Sequence, residues 1–194
     1  YTLPRGLVFV NGRRLLQVHE RSNLASKTDA YWVDVPAGKL LLRLAGEAEP
    51  ARATVEITVQ GMVFAPDTEG LGWIAVRGLT IEHAGNQFPM PQQGALSTMR
   101  GHHWLIENNT IRQANGCGVD IGIQAGWTDL PVGRHIVRGN RISDCGVCGI
   151  AGIRPDASVI EDNVLTDNAF HDVETYYETG AIKTHLNRSV VIRR

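Results

Sequence analysis

An all-β chain made largely of stacked parallel coils is the fold class that this sequence predicts, and three observations predict it. First, one strand-like pattern returns five times after Gly70. Its copies are Leu79-Thr80-Ile81-Glu82-His83, Trp104-Leu105-Ile106-Glu107-Asn108-Asn109-Thr110-Ile111, His135-Ile136-Val137-Arg138-Gly139-Asn140-Arg141-Ile142, Val159-Ile160-Glu161-Asp162-Asn163-Val164-Leu165 and Val190-Val191-Ile192-Arg193-Arg194. Second, the central apolar residues Ile81, Ile106, Val137, Ile160 and Ile192 are separated by unequal steps of 25, 31, 23 and 32 residues. Third, a Gly-led strand recurs at Gly94, Gly118, Gly149 and Gly180, with Val119, Ile150 and Ile182 spaced 31 and 32 apart. A fixed strand core with turns of free length describes a solenoid. The expected architecture is a right-handed parallel β-helix over residues 70–194, truncated at the C-terminus. A small antiparallel β-sandwich-like flanking module over residues 1–69 precedes it.

The flanking module reads as short strands and turns between residues 6 and 67. Leu7-Val8-Phe9-Val10 runs into Asn11-Gly12, a two-residue hairpin signal. Arg14-Leu15-Leu16-Gln17-Val18, Tyr31-Trp32-Val33-Asp34-Val35, Lys39-Leu40-Leu41-Leu42-Arg43-Leu44 and Ala53-Thr54-Val55-Glu56-Ile57-Thr58-Val59 follow. About five strands in this length suit a sandwich. Helical periodicity is weak except near residues 21–25. Tyr31 and Trp32 could stack on a sugar, but strand aromatics more often fill a core.

In the coils, Asn109, Asn140 and Asn163 recur at one turn position. Asparagine tolerates the left-handed backbone and can bond its amide to the next coil. On the Gly-led strand, alternation turns Val119, Ile150 and Ile182 inward and Asp120, Ala151 and Lys183 outward. Cys117 and Cys148 stack on adjacent coils as a thiol ladder, with a disulfide geometrically open. Cys145-x-x-Cys148 lacks the second pair that a zinc site needs, so buried thiols are expected.

Composition narrows the functions. The formal net charge is -1, from 19 basic and 20 acidic residues, so nothing favours nucleic acid or an anionic membrane surface. No apolar run reaches the roughly 20 residues that span a bilayer. The chain starts without Met and ends on a strand in mid-pattern, which reads as a piece of a longer protein. The missing signal peptide therefore leaves the compartment open. The oligomeric state is open too, a homo-oligomer included.

The long turns at 87–93, 124–133 and 170–178 all adjoin the Gly-led strand. They gather Phe88, Gln92, Gln93, Trp127, Asp129, His171, Asp172, Glu174, Tyr176, Tyr177 and Glu178. Aromatic faces beside carboxylates suit a sugar subsite. Glycoside hydrolysis uses two carboxyls, roughly 5–5.5 Å apart in retaining enzymes, close to the roughly 4.8 Å between stacked strands. Glu178, between Tyr177 and Thr179-Gly180, is the candidate acid, since partial burial raises a carboxyl toward neutrality. Asp120, outward on the strand, and Asp156, in Arg154-Pro155-Asp156, are the candidate partners. Trp127, Tyr176, Tyr177, Lys183, His185 and Gln92 are candidate substrate contacts. Each also has a plainer reading as a solvated turn or strand residue. His102-His103 is a weak metal pair, because neighbours on a strand face opposite ways.

Several of these motifs resemble a known family. They are Gln87-Phe88-Pro89-x-Pro91-Gln92-x-Gly94-Ala95-Leu96-Ser97, Gly101-His102-His103-Trp104-x-Ile106-Glu107-x-Asn109-Thr110-Ile111, Gly118-Val119-Asp120-Ile121-Gly122, Cys148-Gly149-Ile150-Ala151-Gly152 and Glu178-x-x-Ala181-Ile182-Lys183-x-His185. Together they are similar to the β-helix glycosidases around glycoside hydrolase family 120, the β-xylosidases. The resemblance covers most of residues 70–194, and the flanking module fits it. It implies a retaining hydrolase of oligo- or polysaccharides, with an aspartate nucleophile, a glutamate acid/base and no cofactor or metal. Glu178 matches the acid/base position. The nucleophile is Asp156, 22 residues earlier, or Asp120. The rival readings are a polysaccharide lyase, with Lys183 as base, and a non-catalytic carbohydrate-binding or surface β-helix.

Overall fold

The computed structural model describes residues 6–46, 50–87, 92–171 and 179–194. They form strands, turns and two short 3-10 segments, Arg21–Ala25 and Pro50–Arg52, with no α-helix among the described residues. The chain divides into two compact units, Tyr1–Val59 and Gln60–Arg194.

The first unit holds β1 (Val8–Val10), β2 (Arg13–Arg14), β3 (Leu16–Gln17), β4 (Ala30–Asp34), β5 (Lys39–Arg43) and β6 (Val55–Ile57). They pair as two three-stranded sheets, β2-β1-β6 and β3-β4-β5. Asn11 and Gly12 both have positive φ, 50° and 75°, so the β1–β2 hairpin turns as the Asn-Gly pair predicts. Val8, Val10, Leu15 and Tyr31 share one core with Val33, Leu40 and Leu42, so both sheets contribute to it. Tyr31 is a core residue: its hydroxyl donates to the Gly6 carbonyl at 2.6 Å, and burial pushes its acidity well down.

The second unit runs through β7 (Ala75–Arg77), β8 (Thr80–Glu82), β9 (Gly94–Ser97), β10 (Leu105–Glu107), β11 (Thr110–Arg112), β12 (Cys117–Asp120), β13 (Ile136–Arg138), β14 (Arg141–Ser143), β15 (Cys148–Ile153), β16 (Val159–Glu161), β17 (Val164–Thr166), β18 (Gly180–His185) and β19 (Val191–Arg193). These thirteen strands visit three parallel sheets in strict rotation. Sheet one is β7-β10-β13-β16-β19, sheet two β8-β11-β14-β17 and sheet three β9-β12-β15-β18. Val76, Ile106, Val137 and Ile160 from the first sheet meet Ile81, Ile111 and Ile142 from the second and Leu96, Val119 and Ile150 from the third in one buried core.

The register corrects part of the sequence reading. Ile106 pairs with Val76, not with Ile81, and Ile81 pairs with Ile111 on the second sheet. Two adjacent sheets carry similar apolar triplets, which allowed the slip. The third-sheet rows hold as expected: Val119 lies beside Ile150, and Ile150 beside Ile182.

A left-handed residue marks each corner. Asn108, Gly139 and Asp162 turn the chain from sheet one to sheet two, with φ of 56°, 64° and 54°. Asn109, Asn140 and Asn163 follow them, so the recurring asparagines are not the left-handed residues. They act through their amides. Asn140 Oδ1 accepts from the Asn109 N–H and Nδ2, both at 3.0 Å. Its own Nδ2 donates to the Ile106 carbonyl and to Asn163 Oδ1, both at 2.9 Å. This buried ladder satisfies corner backbone groups that no strand reaches. On the outer face of sheet one, Glu107 bridges Arg77 at 2.6 Å and Arg138 at 2.7 Å, and Arg193 meets Glu161 one step further on.

Candidate functional site

The third sheet presents two buried rows on its outer face. Strict alternation fails there. A side chain on Gly118 would meet Ile142 and Cys145, and Val119 also lies in the interior, so two successive residues face inward. Cys117 and Asp120 therefore share the outer face, as do Cys148 and Ala151. Cys117, Val147, Cys148 and Ala151 form a small core of their own. The Cys117 and Cys148 sulfurs lie 3.2 Å apart as free thiols, and Cys145 is also free and buried. The hydrogen bond to Cys148, then burial, raises the Cys117 thiol well above its ordinary range.

Asp120 points away from the coil interior, as expected, yet it is fully buried rather than exposed on a groove. The turn that follows β12 folds back over it. Gln124 Nε2 donates to Asp120 Oδ1 at 2.6 Å, and the Gly94 N–H donates to Oδ2 at 2.7 Å. Desolvation raises its pKa to about 6, against the lowering effect of bonds from Gly94, Ser97, Gln124 and Thr98. Pairing of Ile123 with Ile153 pins the same turn onto β15. Gln92 is buried beside it, its N–H 3.5 Å from the Gln124 carbonyl.

Asp156 sits just past β15. Its carbonyl accepts from the Arg134 N–H at 2.6 Å. Gly133, at φ 108°, lets the backbones approach: a Cβ there would stand 2.3 Å from the Asp156 carbonyl oxygen. Asp156 Oδ1 is buried and has no hydrogen-bond partner among the described residues. Nearby in sequence, Arg154 lies 4.5 Å above the Trp127 ring and donates to the Thr128 carbonyl at 3.3 Å. The Arg154 N–H donates to the His185 carbonyl at 2.8 Å. Arg154 thus ties the exposed Trp127 turn to the end of β18. It was not singled out in the sequence, although it begins the Arg-Pro-Asp triplet. Lys183 lies beside Ala151 and His185 beside Ile153, both half-buried. Glu178, Tyr176 and Tyr177 lie outside the described residues, as do Phe88, Asp172 and Glu174.

No group of three or more metal-ligating side chains with suitable geometry occurs among the described residues. His102 and His103 do not oppose each other across a strand. They occupy a corner, with Nδ1 atoms 2.8 Å apart. A hollow of about 420 Å³ bordered by Ile160, Leu165, Ile182 and Ile192 lies at β17, β18 and β19, away from Asp120 and Asp156. It is the interior of the coil stack seen from its last strands.

No family model matches the chain, and no curated protein matches it. Among solved structures, XylC in complex with xylose matches with a TM-score of 0.76 at 22% sequence identity. The match covers 96% of this chain and 38% of XylC, so the chain spans well under half of that protein's length. At this identity the likeness is one of fold, and the chain is all-β with several parallel sheets.

Proposed function

We propose that the chain belongs to a right-handed parallel β-helix glycosidase of the retaining, β-xylosidase-like kind, similar to glycoside hydrolase family 120. The handedness follows the strong steric preference of parallel crossovers. The observation that carries the reading is Asp156. Its buried Oδ1 has no partner among the described residues, while both oxygens of Asp120 are held. Of the two candidate aspartates, Asp156 is the one with a carboxylate oxygen that accepts no hydrogen bond among the described residues. The likeness to XylC with xylose and the motifs around Glu178 support the same reading.

In this mechanism the Asp156 carboxylate attacks the anomeric carbon while Glu178 protonates the departing oxygen. Glu178 then deprotonates a water that hydrolyses the glycosyl ester and regenerates Asp156. Trp127, braced by Arg154, provides a stacking face, and Lys183 and His185 donate to hydroxyls. Asp120 holds the 121–124 turn.

The test is release of nitrophenol from an aryl β-xyloside by the full-length protein. Asp156→Gly should lower turnover at least about 10³-fold and recover with azide, giving a glycosyl azide. Glu178→Gln should fall most with poor leaving groups. Full activity in Asp156→Gly with loss in Asp120→Asn moves the nucleophile. Activity in both variants removes the mechanism, and an unsaturated product from uronate polymers points to a lyase.

A further inference from the structure

One corner of the coil stack carries an exposed aromatic that the mechanism above does not use. Parallel bridges align Gly72 with His102 and His102 with Gly133, and Arg134 bonds the Asp156 carbonyl. The next residues, Trp73, His103, Arg134 and Ala157, therefore form a column, one per coil. All four are left-handed, with φ of 63°, 54°, 56° and 53°. The corner imposes this backbone on whatever residue occupies it, and here it turns a bulky aromatic outward. Trp73 is 77% exposed. Its ring stacks on His103 at 4.1 Å and 15°, and stands edge-on to His102 at 6.3 Å. The two imidazoles brace each other through their Nδ1 atoms. Gly72 is required beneath them, because a Cβ there would stand 2.1 Å from the His102 ring. Arg134 continues the column as an exposed cation, and Ala157, also exposed, adds only a methyl beside Asp156.

We infer that this column is a saccharide-binding track leading to Asp156, and that its ligand is a β-linked oligosaccharide rather than a single sugar. The inference rests on the glycosidase reading for the position of the cleaved bond. Trp73 supplies a rigid, solvent-facing ring for C–H stacking, and the His103 imidazole and Arg134 guanidinium suit hydroxyls. Three coil steps separate Trp73 from the level of Asp156, about 14 Å at the strand spacing. Only a chain of several sugars reaches both.

Calorimetric titration of xylohexaose and xylose into full-length protein carrying Asp156→Asn tests this. Xylohexaose should bind more tightly than xylose. Trp73→Ala should weaken xylohexaose about tenfold and xylose less than about twofold, with Trp73→Phe between. Equal affinity for the two ligands, or unchanged xylohexaose binding in Trp73→Ala, overturns the track. The aryl xyloside assay separates the two readings. Hydrolysis that depends on Asp156 without a Trp73 effect leaves the glycosidase and removes the track. Trp73-dependent xylohexaose binding without hydrolysis leaves the track and removes the glycosidase.

Discussion

Replacing Asn140 with alanine should cost the coil stack more than any other single change in its asparagine ladder. Asn140 is 1% exposed and makes four side-chain hydrogen bonds, at 3.0, 3.0, 2.9 and 2.9 Å. Truncation leaves the Asn109 N–H buried without its acceptor, a penalty of about 1–3 kcal/mol. The other three bonds lose about 0.5–1.5 kcal/mol each. The total is about 5 kcal/mol, or a Tm lower by about 10–20 °C for a unit of this size. Asn163, half-buried one coil further, accepts from the Asn140 N–H and donates to the Val137 carbonyl at 2.8 Å. Water reaches it more readily, so Asn163→Ala should cost at most about 2 kcal/mol. Urea unfolding of both variants decides the matter. A loss below about 1 kcal/mol for Asn140→Ala, or an order reversed between the two, would refute the view that the ladder satisfies otherwise orphaned corner groups.

Asp120 gives stability a pH dependence: its pKa is about 6 in the fold against an ordinary 3.8, so the folded chain holds an extra proton between those values. That contribution is full below about pH 4 and is lost as pH rises through 6, by up to about 3 kcal/mol, and Asp120→Asn should flatten the curve of unfolding free energy. Gly133→Ala puts a Cβ into the Asp156 backbone at a φ of 108°, so it should lower stability by about 3 kcal/mol and disturb Asp156. An unchanged Tm would show that the two backbones are not pinned together. Cys117, Cys145 and Cys148 are all buried, so a thiol reagent should label none of them in the native chain and all three in denaturant. Rapid native labelling would show that the Gly-led strands open.

The coil pattern was legible because the inward residues of sheet three repeat with little interference: Val119, Ile150 and Ile182 stand directly beside one another. The first sheet was harder to read. Its opening strand, Ala75–Arg77, is followed by Gly78-Leu79 instead of an asparagine corner, so the repeat was assigned to Ile81 on the neighbouring sheet. Alternation gave the correct side for Asp120 but not its burial. Pleat decides which way a side chain points, whereas the turn after β12 decides what covers it. The His102-His103 pair misled for a related reason. A left-handed residue at the corner swings both rings to one side, and no strand periodicity encodes that.

The contrast between the two aspartates follows from the same geometry. Asp120 ends β12, where the returning turn and the neighbouring strand bury it and donors occupy both oxygens. Asp156 lies one residue before a corner, where a solenoid turns its chain outward and where turn length is free to vary. A carboxylate buried within a row can be held but not reached, so it stabilises. The one before a corner is fixed by backbone contacts to Gly133 and Arg134, and its buried Oδ1 has no hydrogen-bond partner among the described residues. Substitutions at Asp120 should therefore move Tm and its pH profile more than turnover. Substitutions at Asp156 should do the reverse, and the ratio of the two effects is a sharper criterion for the nucleophile than loss of activity alone.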